Sequence, residues 1–178
     1  NYNDVTNIYK IIYYTSNYNI NYDRLKIIGE MEKEFNNKNI QFFSNLSFHH
    51  DPVIRTRAIC IIADFGGEHA VGTISKALKE DVDELVRHEA AFSLGQLGFT
   101  SAIKALSDAV EKDPSIFVRH EAAVALGVIG SEDARSILLS ALNDPSEEVK
   151  KSAIVALSNL DYILNYKKIN KFTRMTGG

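Results

Sequence analysis

Two stretches decide the fold: Val86–Gly98, VRHEAAFSLGQLG, and Val118–Gly130, VRHEAAVALGVIG. They agree at 9 of 13 positions. Two weaker copies extend the series on either side, IRTRAICIIADFG from Ile54 and VKKSAIVALSNLD from Val149. The four starts, Ile54, Val86, Val118 and Val149, are almost evenly spaced. A fixed period of this size marks a repeat architecture. Within the second copy Val86, Ala90, Leu94 and Leu97 recur at helical spacing, the stripe that a helix buries. Amphipathic stretches lie between the copies, at Ala70–Leu78, Ala102–Val110 and Ala134–Leu142. Each repeat therefore reads as two helices, and the sequence predicts an all-α fold, an α-solenoid of helix-pair repeats. Stacked neighbours supply the core that one pair cannot bury alone.

Local signals agree with that period. Ala90, Ala91, Ala122 and Ala123, with Gly95 and Gly127, allow close helix approach. Gly66, Gly98 and Gly130 stand where a helix end wants a left-handed residue. The three prolines each follow an aspartate just ahead of a repeat helix (Asp51-Pro52, Asp113-Pro114, Asp144-Pro145), which predicts an acidic cap followed by Pro in the first turn. Residues 48–162 form the repeat domain. Residues 1–47 hold ten asparagines, yet Ile8, Ile11 and Ile12, and later Leu25, Ile28, Met31 and Phe35, keep helical spacing. Two helices that cap the array are expected there, with a turn around Asn17–Asn21. Residues 163–178 lose the repeat and read as a frayed tail or linker.

The 178 residues suit one ordinary domain. A net charge of −3 gives no electrostatic case for a nucleic-acid or anionic-membrane partner. No apolar run reaches the ~20 residues of a membrane span, and the first residues lack a signal-peptide pattern. The single cysteine, Cys60, excludes an internal disulfide and suits a reducing, cytoplasmic setting. It lies in the apolar run ICIIADF and reads as a core residue.

One constellation carries chemistry. His88-Glu89 and His120-Glu121 fill the same slot of the two middle repeats, where the outer repeats have Thr56-Arg57 and Lys151-Ser152. At about 100° per residue, His88 falls about 200° and Glu89 about 300° from Val86, well off a core stripe centred near 35°. The same free face holds Phe92 and Gln96 in one repeat and Val124 and Val128 in the next. Equivalent solenoid helices stack about 8–10 Å apart, so two imidazoles could meet at one metal. Two histidines with a carboxylate and no thiolate suit non-haem iron or manganese better than zinc. A duplicated solvated surface would carry the same pairs. His49 and His50, beside Asp51-Pro52, read as a helix-end pair, and His69 as a loop residue.

With these residues the chain resembles a known family over about Asp51–Tyr162. VRHEAAFSLGQLG and VRHEAAVALGVIG look like the His-Glu repeats of deoxyhypusine hydroxylase, within the E-Z type of HEAT-like repeats. The general repeat pattern is shared with phycobilin lyases and many scaffolds, whereas the paired R-H-E-A-A is more specific. The resemblance implies an iron-dependent monooxygenase that hydroxylates the deoxyhypusine side chain of a translation initiation factor, its protein substrate, with molecular oxygen. In that family two facing halves each bring two His-Glu pairs and together hold two irons. Carried over by motif, His88, Glu89, His120 and Glu121 would be one half's metal residues. Two motifs in place of four imply a second half, a homodimer or an absent second iron, and the chain is expected to be inactive alone. A non-catalytic protein-binding scaffold and a bilin lyase-like chromophore binder are the competing functions.

Overall fold

A computed structural model of the chain describes residues 21–176, with side-chain surroundings through residue 169. Helices α1 (Tyr22–Asn36), α2 (Ile40–Leu46), α3 (Pro52–Phe65) and α4 (Glu68–Glu80) lead into α5 (Glu84–Leu97). They are followed by α6 (Ile103–Lys112), α7 (Ile116–Ile129), α8 (Arg135–Ala141) and α9 (Glu147–Thr176). Short 3-10 turns at Thr100–Ala102 and Glu132–Ala134 open α6 and α8. Among the described residues there is no strand. The expectation for Ile8, Ile11 and Ile12 lies outside the described residues.

The fold is the all-α solenoid that the period predicts. Helices α3, α5, α7 and α9 pack side by side in one layer, and α4, α6 and α8 form a second layer against them. Each repeat places the same positions between the layers: Val86, Ala90 and Leu94 in α5, and Val118, Ala122 and Leu126 in α7, are fully buried. From the other layer Ile74, Leu106 and Leu138 meet them. Gly95 lies so close to α7 that an added Cβ would sit 2.8 Å from the Ala125 Cβ and 2.9 Å from its Cα. Gly127 repeats the contact one helix on, 2.7 Å from the Ala156 Cα. The small residues thus set the helix separation, as expected.

The turns depart from the sequence reading in two ways. Gly98 and Gly130 take left-handed backbone, φ +71° and +61°, but in the first repeat that residue is Gly67 (φ +54°), and Gly66 stays right-handed. Only Asp51 caps a helix with Pro52 in its first turn. Helices α7 and α9 start later, and Asp113 and Asp144 instead accept from the amides of Ser115 and Ser146. Aspartates at these turns also accept from arginines. Arg55 donates from Nε and Nη2 to Asp81 at 2.7 and 2.8 Å, Arg87 to Asp113 at 2.8 and 3.0 Å, and Arg119 to Asp144 at 2.8 and 3.1 Å. The Nη1 groups of Arg55, Arg87 and Arg119 donate to the carbonyls of His49, Asp81 and Asp113. Such two-pronged, charge-assisted pairs bind strongly and directionally, so a ladder of them locks each repeat to the next.

Arg24 of α1 makes the same two-pronged contact with Asp51, at 2.7 and 3.1 Å. Its partner spacing of 27 residues is close to the 26 between Arg55 and Asp81. Met31, two helical turns past Arg24, is buried as Ile62 and Leu94 are at the same offset from Arg55 and Arg87. Helices α1 and α2 are therefore a degenerate copy of the repeat, stacked on α3 and α4. At the other end α9 runs on past Tyr162 to Thr176. No Gly or Pro interrupts it. Asn159 Nδ2 donates to the Gly127 carbonyl at 2.9 Å, and Leu164 packs against the core. No helix among the described residues is long and apolar enough to cross a membrane.

A His-Glu face as the candidate metal site

Helices α5 and α7 carry the two motifs, and the ladder fixes both where it matters. Arg87 and Arg119 directly precede His88 and His120, so each imidazole grows from a residue whose neighbour is clamped. Asp83 accepts from the amides of Leu85 and Val86, which holds the first turn of α5. The core side of each helix is fully buried, which turns the His-Glu positions outward, partly exposed.

Across the layer the motifs interlock by repeat. His88 Nε2 lies 3.4 Å from Glu121 Oε2 of the next helix. His120 makes the equivalent step to α9, where its Nδ1 stands 2.7 Å from Ser152 Oγ. Glu89 turns to the other side, accepting from Ser93 Oγ at 3.3 Å. Burial pushes the Glu89 carboxyl above its ordinary range, nearby Glu121 adds to this, and Ser93 and His88 only partly offset it. Phe92 and Val128 stay exposed beside these groups, with Val124 half-buried between them. Arg57 and Lys151 flank the face from the outer repeats, both exposed.

The structure brings His88 to Glu121 and leaves His120 one repeat further along. Among the described residues no three His, Cys, Asp or Glu side chains converge into a group that could hold a metal ion. The donor chemistry nonetheless suits one. Two imidazoles and two carboxylates share one face of adjacent rigid helices, without a thiolate among them.

The other candidates resolve differently. Cys60 is exposed, not core. Helix α3 is apolar on several sides, and its buried stripe is Ile54, Ala58, Ile59 and Ile62. The repeat register shows what periodicity within the run does not, since Cys60 fills the slot that exposed Phe92 fills in the next repeat. Partial burial, then Glu89 and Asp64, push its thiol up, which disfavours the reactive thiolate. His49 and His50 do close a helix end: their rings lie 4.1 Å apart, and His49 Nδ1 accepts from the Asp51 amide at 3.1 Å. His69 stands in the first turn of α4, not in a loop.

Comparison with known proteins agrees with this architecture. A family model described as HEAT repeats matches residues 73–158. The structure of human deoxyhypusine hydroxylase in complex with glycerol superposes with a TM-score of 0.65 at 30% identity. Residues 73–158 thus match HEAT repeats, and the chain is similar to deoxyhypusine hydroxylase. The match to the hydroxylase covers 70% of this chain and 44% of that one, so the chain spans less than half the length of this relative. An engineered protein also matches, with a TM-score of 0.49 at 24% identity, over 69% of this chain and 62% of that one. The phycocyanin lyase complex of Nostoc sp. matches with a TM-score of 0.48 at 21% identity, over 74% of this chain and 68% of that one. No curated protein sequence matches the chain.

Proposed function

We propose that the chain is one half of an iron-dependent monooxygenase acting on the deoxyhypusine side chain of a cytoplasmic translation initiation factor. The contact between His88 Nε2 and Glu121 across adjacent repeats, at 3.4 Å, is the observation that supports this reading most directly. It joins the two motifs into one ligand face on a fold like that of the hydroxylase. His88, His120 and Glu121 would hold iron, as two imidazoles and a carboxylate suit a non-haem centre with open positions. Glu89 would serve the metal's surroundings.

Iron, when bound there, supplies the means to activate molecular oxygen. The net reaction inserts one oxygen atom of O2 into a methylene C–H bond. The other leaves as water, with two electrons from an external reductant and two protons. The chain's own residues do the rest. Glu89 and Glu121 attract the cationic amine of the substrate. Phe92, Val124 and Val128 offer an apolar bed for its methylene chain. A second half, or a second copy facing this one, would cover the face and exclude water, which strengthens each charge contact.

The test is hydroxylation by this chain and its complementary half, loaded with iron and supplied with reductant and deoxyhypusine-bearing protein. The expected product gains one oxygen atom by mass spectrometry. Iron-loaded halves that leave the substrate unmodified would overturn the reading in favour of a binding scaffold.

A further inference from the structure

We infer that Ser152 is a positioning residue that fixes His120 as its Nδ1–H tautomer and keeps Nε2 open as a metal-ligating nitrogen. Ser152 occupies the place in its repeat that Glu121 occupies in the preceding one, and it is 6% exposed. A serine hydroxyl has one proton and two lone pairs. Ser152 donates that proton to the Glu148 carbonyl one turn back, at 2.8 Å. Its oxygen therefore meets His120 Nδ1, 2.7 Å away, as an acceptor, and a hydrogen bond forms only if Nδ1 carries the hydrogen. A neutral imidazole has one N–H, so Nε2 is left with a free lone pair, and the partner of one ring nitrogen decides the state of the other.

The neighbouring groups agree with this assignment. The Glu148 carboxylate accepts from Ser146 Oγ at 2.7 Å and makes no hydrogen bond to His120. Burial of Ser152 keeps water from taking its place. His88 is placed differently, its Nε2 lying 3.4 Å from Glu121 Oε2. The two histidines are thus unequal: His120 is a preformed ligand, and His88 must leave Glu121 to bind. Partners of this kind behind a ligating histidine are worth about 10–100-fold in metal affinity.

The metal half of this inference rests on the proposed hydroxylase reading; the tautomer half does not. The experiment is two-bond 1H–15N correlation of the imidazoles in the full metal-free chain, above the ordinary imidazole titration range, with His120→Gln for assignment. The wild type is expected to show protonated Nδ1 at His120. Ser152→Ala loses that preference, and Ser152→Thr, which keeps the hydroxyl, retains it. Anaerobic Fe(II) titration should then show about 10–100-fold weaker binding by Ser152→Ala, with the threonine variant near wild type. A wild-type Nε2–H signal, or an unchanged tautomer in Ser152→Ala, overturns the inference. So does a changed tautomer with unchanged Fe(II) affinity. If the wild type takes up no Fe(II), the proposed hydroxylase reading falls, while the NMR result still decides the tautomer.

Discussion

At the residue scale, the four His-Glu side chains are the proposed metal residues, and the arginines beside them tie neighbouring repeats together. His88→Ala and His120→Ala should each lower the iron content of the purified chain severely, because one iron would draw on both repeats. His49→Ala and His50→Ala, whose roles are at a helix end, should leave it unaltered; elemental analysis decides. Glu89 makes a further prediction through linkage. Its carboxyl titrates higher in the folded chain than unfolded, with burial the first cause. A raised acid favours folding only while protonated, so that contribution is lost as pH rises through the folded value. Glu89→Gln should therefore raise the urea midpoint near neutral pH, and the gain should vanish below the ordinary glutamate range. A gain that persists in acid would place the effect in packing instead. The four proposed site residues were legible in the sequence, because duplication printed the His-Glu pair twice in one slot. Ser152 was not, since its meaning depends on facing His120 from the helix of the next repeat.

At the scale of elements, two kinds of contact stack the repeats. The first is close approach. Gly95→Ala places a Cβ against α7, so the helices must separate, and about 1–3 kcal/mol of stability should be lost. Gly72 is the control: it lies in an exposed helix interior with nothing within 4 Å of an added Cβ. Gly72→Ala should stabilise by about 0.5–1 kcal/mol through the backbone alone. Thermal melting of the pair separates contact from propensity. The second contact is the Arg–Asp ladder. Arg87 and Asp113 are about 10% and 6% exposed, so Arg87→Met strands a buried carboxylate and should cost about 3 kcal/mol. Lys104→Met, removing an 84% exposed partner of Asp108, should stay within about 0.5 kcal/mol. The ladder also sets the acid limit. The Arg24 hydrogen bond, first among the causes, holds the Asp51 carboxyl below its ordinary value. Burial pushes Asp144 up, yet Arg119 and the Ser146 amide together hold it low. Depressed acids stabilise above their unfolded values and lose that contribution as pH falls through the folded ones. Unfolding monitored by circular dichroism should therefore begin below the ordinary aspartate range, and earlier in Arg24→Met. The arginines of the first three quoted copies are plain in the sequence, but their aspartate partners lie most of a repeat away, beyond helical periodicity.

At the scale of the whole molecule, the count of ligands predicts the behaviour of the isolated chain. Two His-Glu motifs provide two imidazoles and two carboxylates, and among the described residues no three His, Cys, Asp or Glu side chains gather into a metal-binding group. The iron-loaded monomer should show little or no hydroxylase activity, and addition of the complementary half should restore it. Robust turnover by a demonstrably monomeric chain would sink this prediction. An open face leaves its charges wet, and water weakens the contacts the reaction needs.

The sequence by itself determined the period, the two-helix repeat, the buried stripe and the outward slot of the His-Glu pairs. All of these are local or repeated, and repetition makes a weak local signal readable. Tertiary structure decided the rest. It showed α1 and α2 to be a degenerate repeat: of the shared pattern they keep Arg24 and Met31, one repeat ahead of Arg55 and Ile62. It moved Cys60 to the surface, because an all-round apolar helix does not say which side faces the neighbour. It extended α9 through the tail, where Leu164 finds the core only once α9 is packed on α7. It also paired His88 with Glu121 and His120 with Ser152, not each His with its own Glu. Adjacent residues on a helix diverge by about 100°, whereas stacked helices bring equivalent slots together.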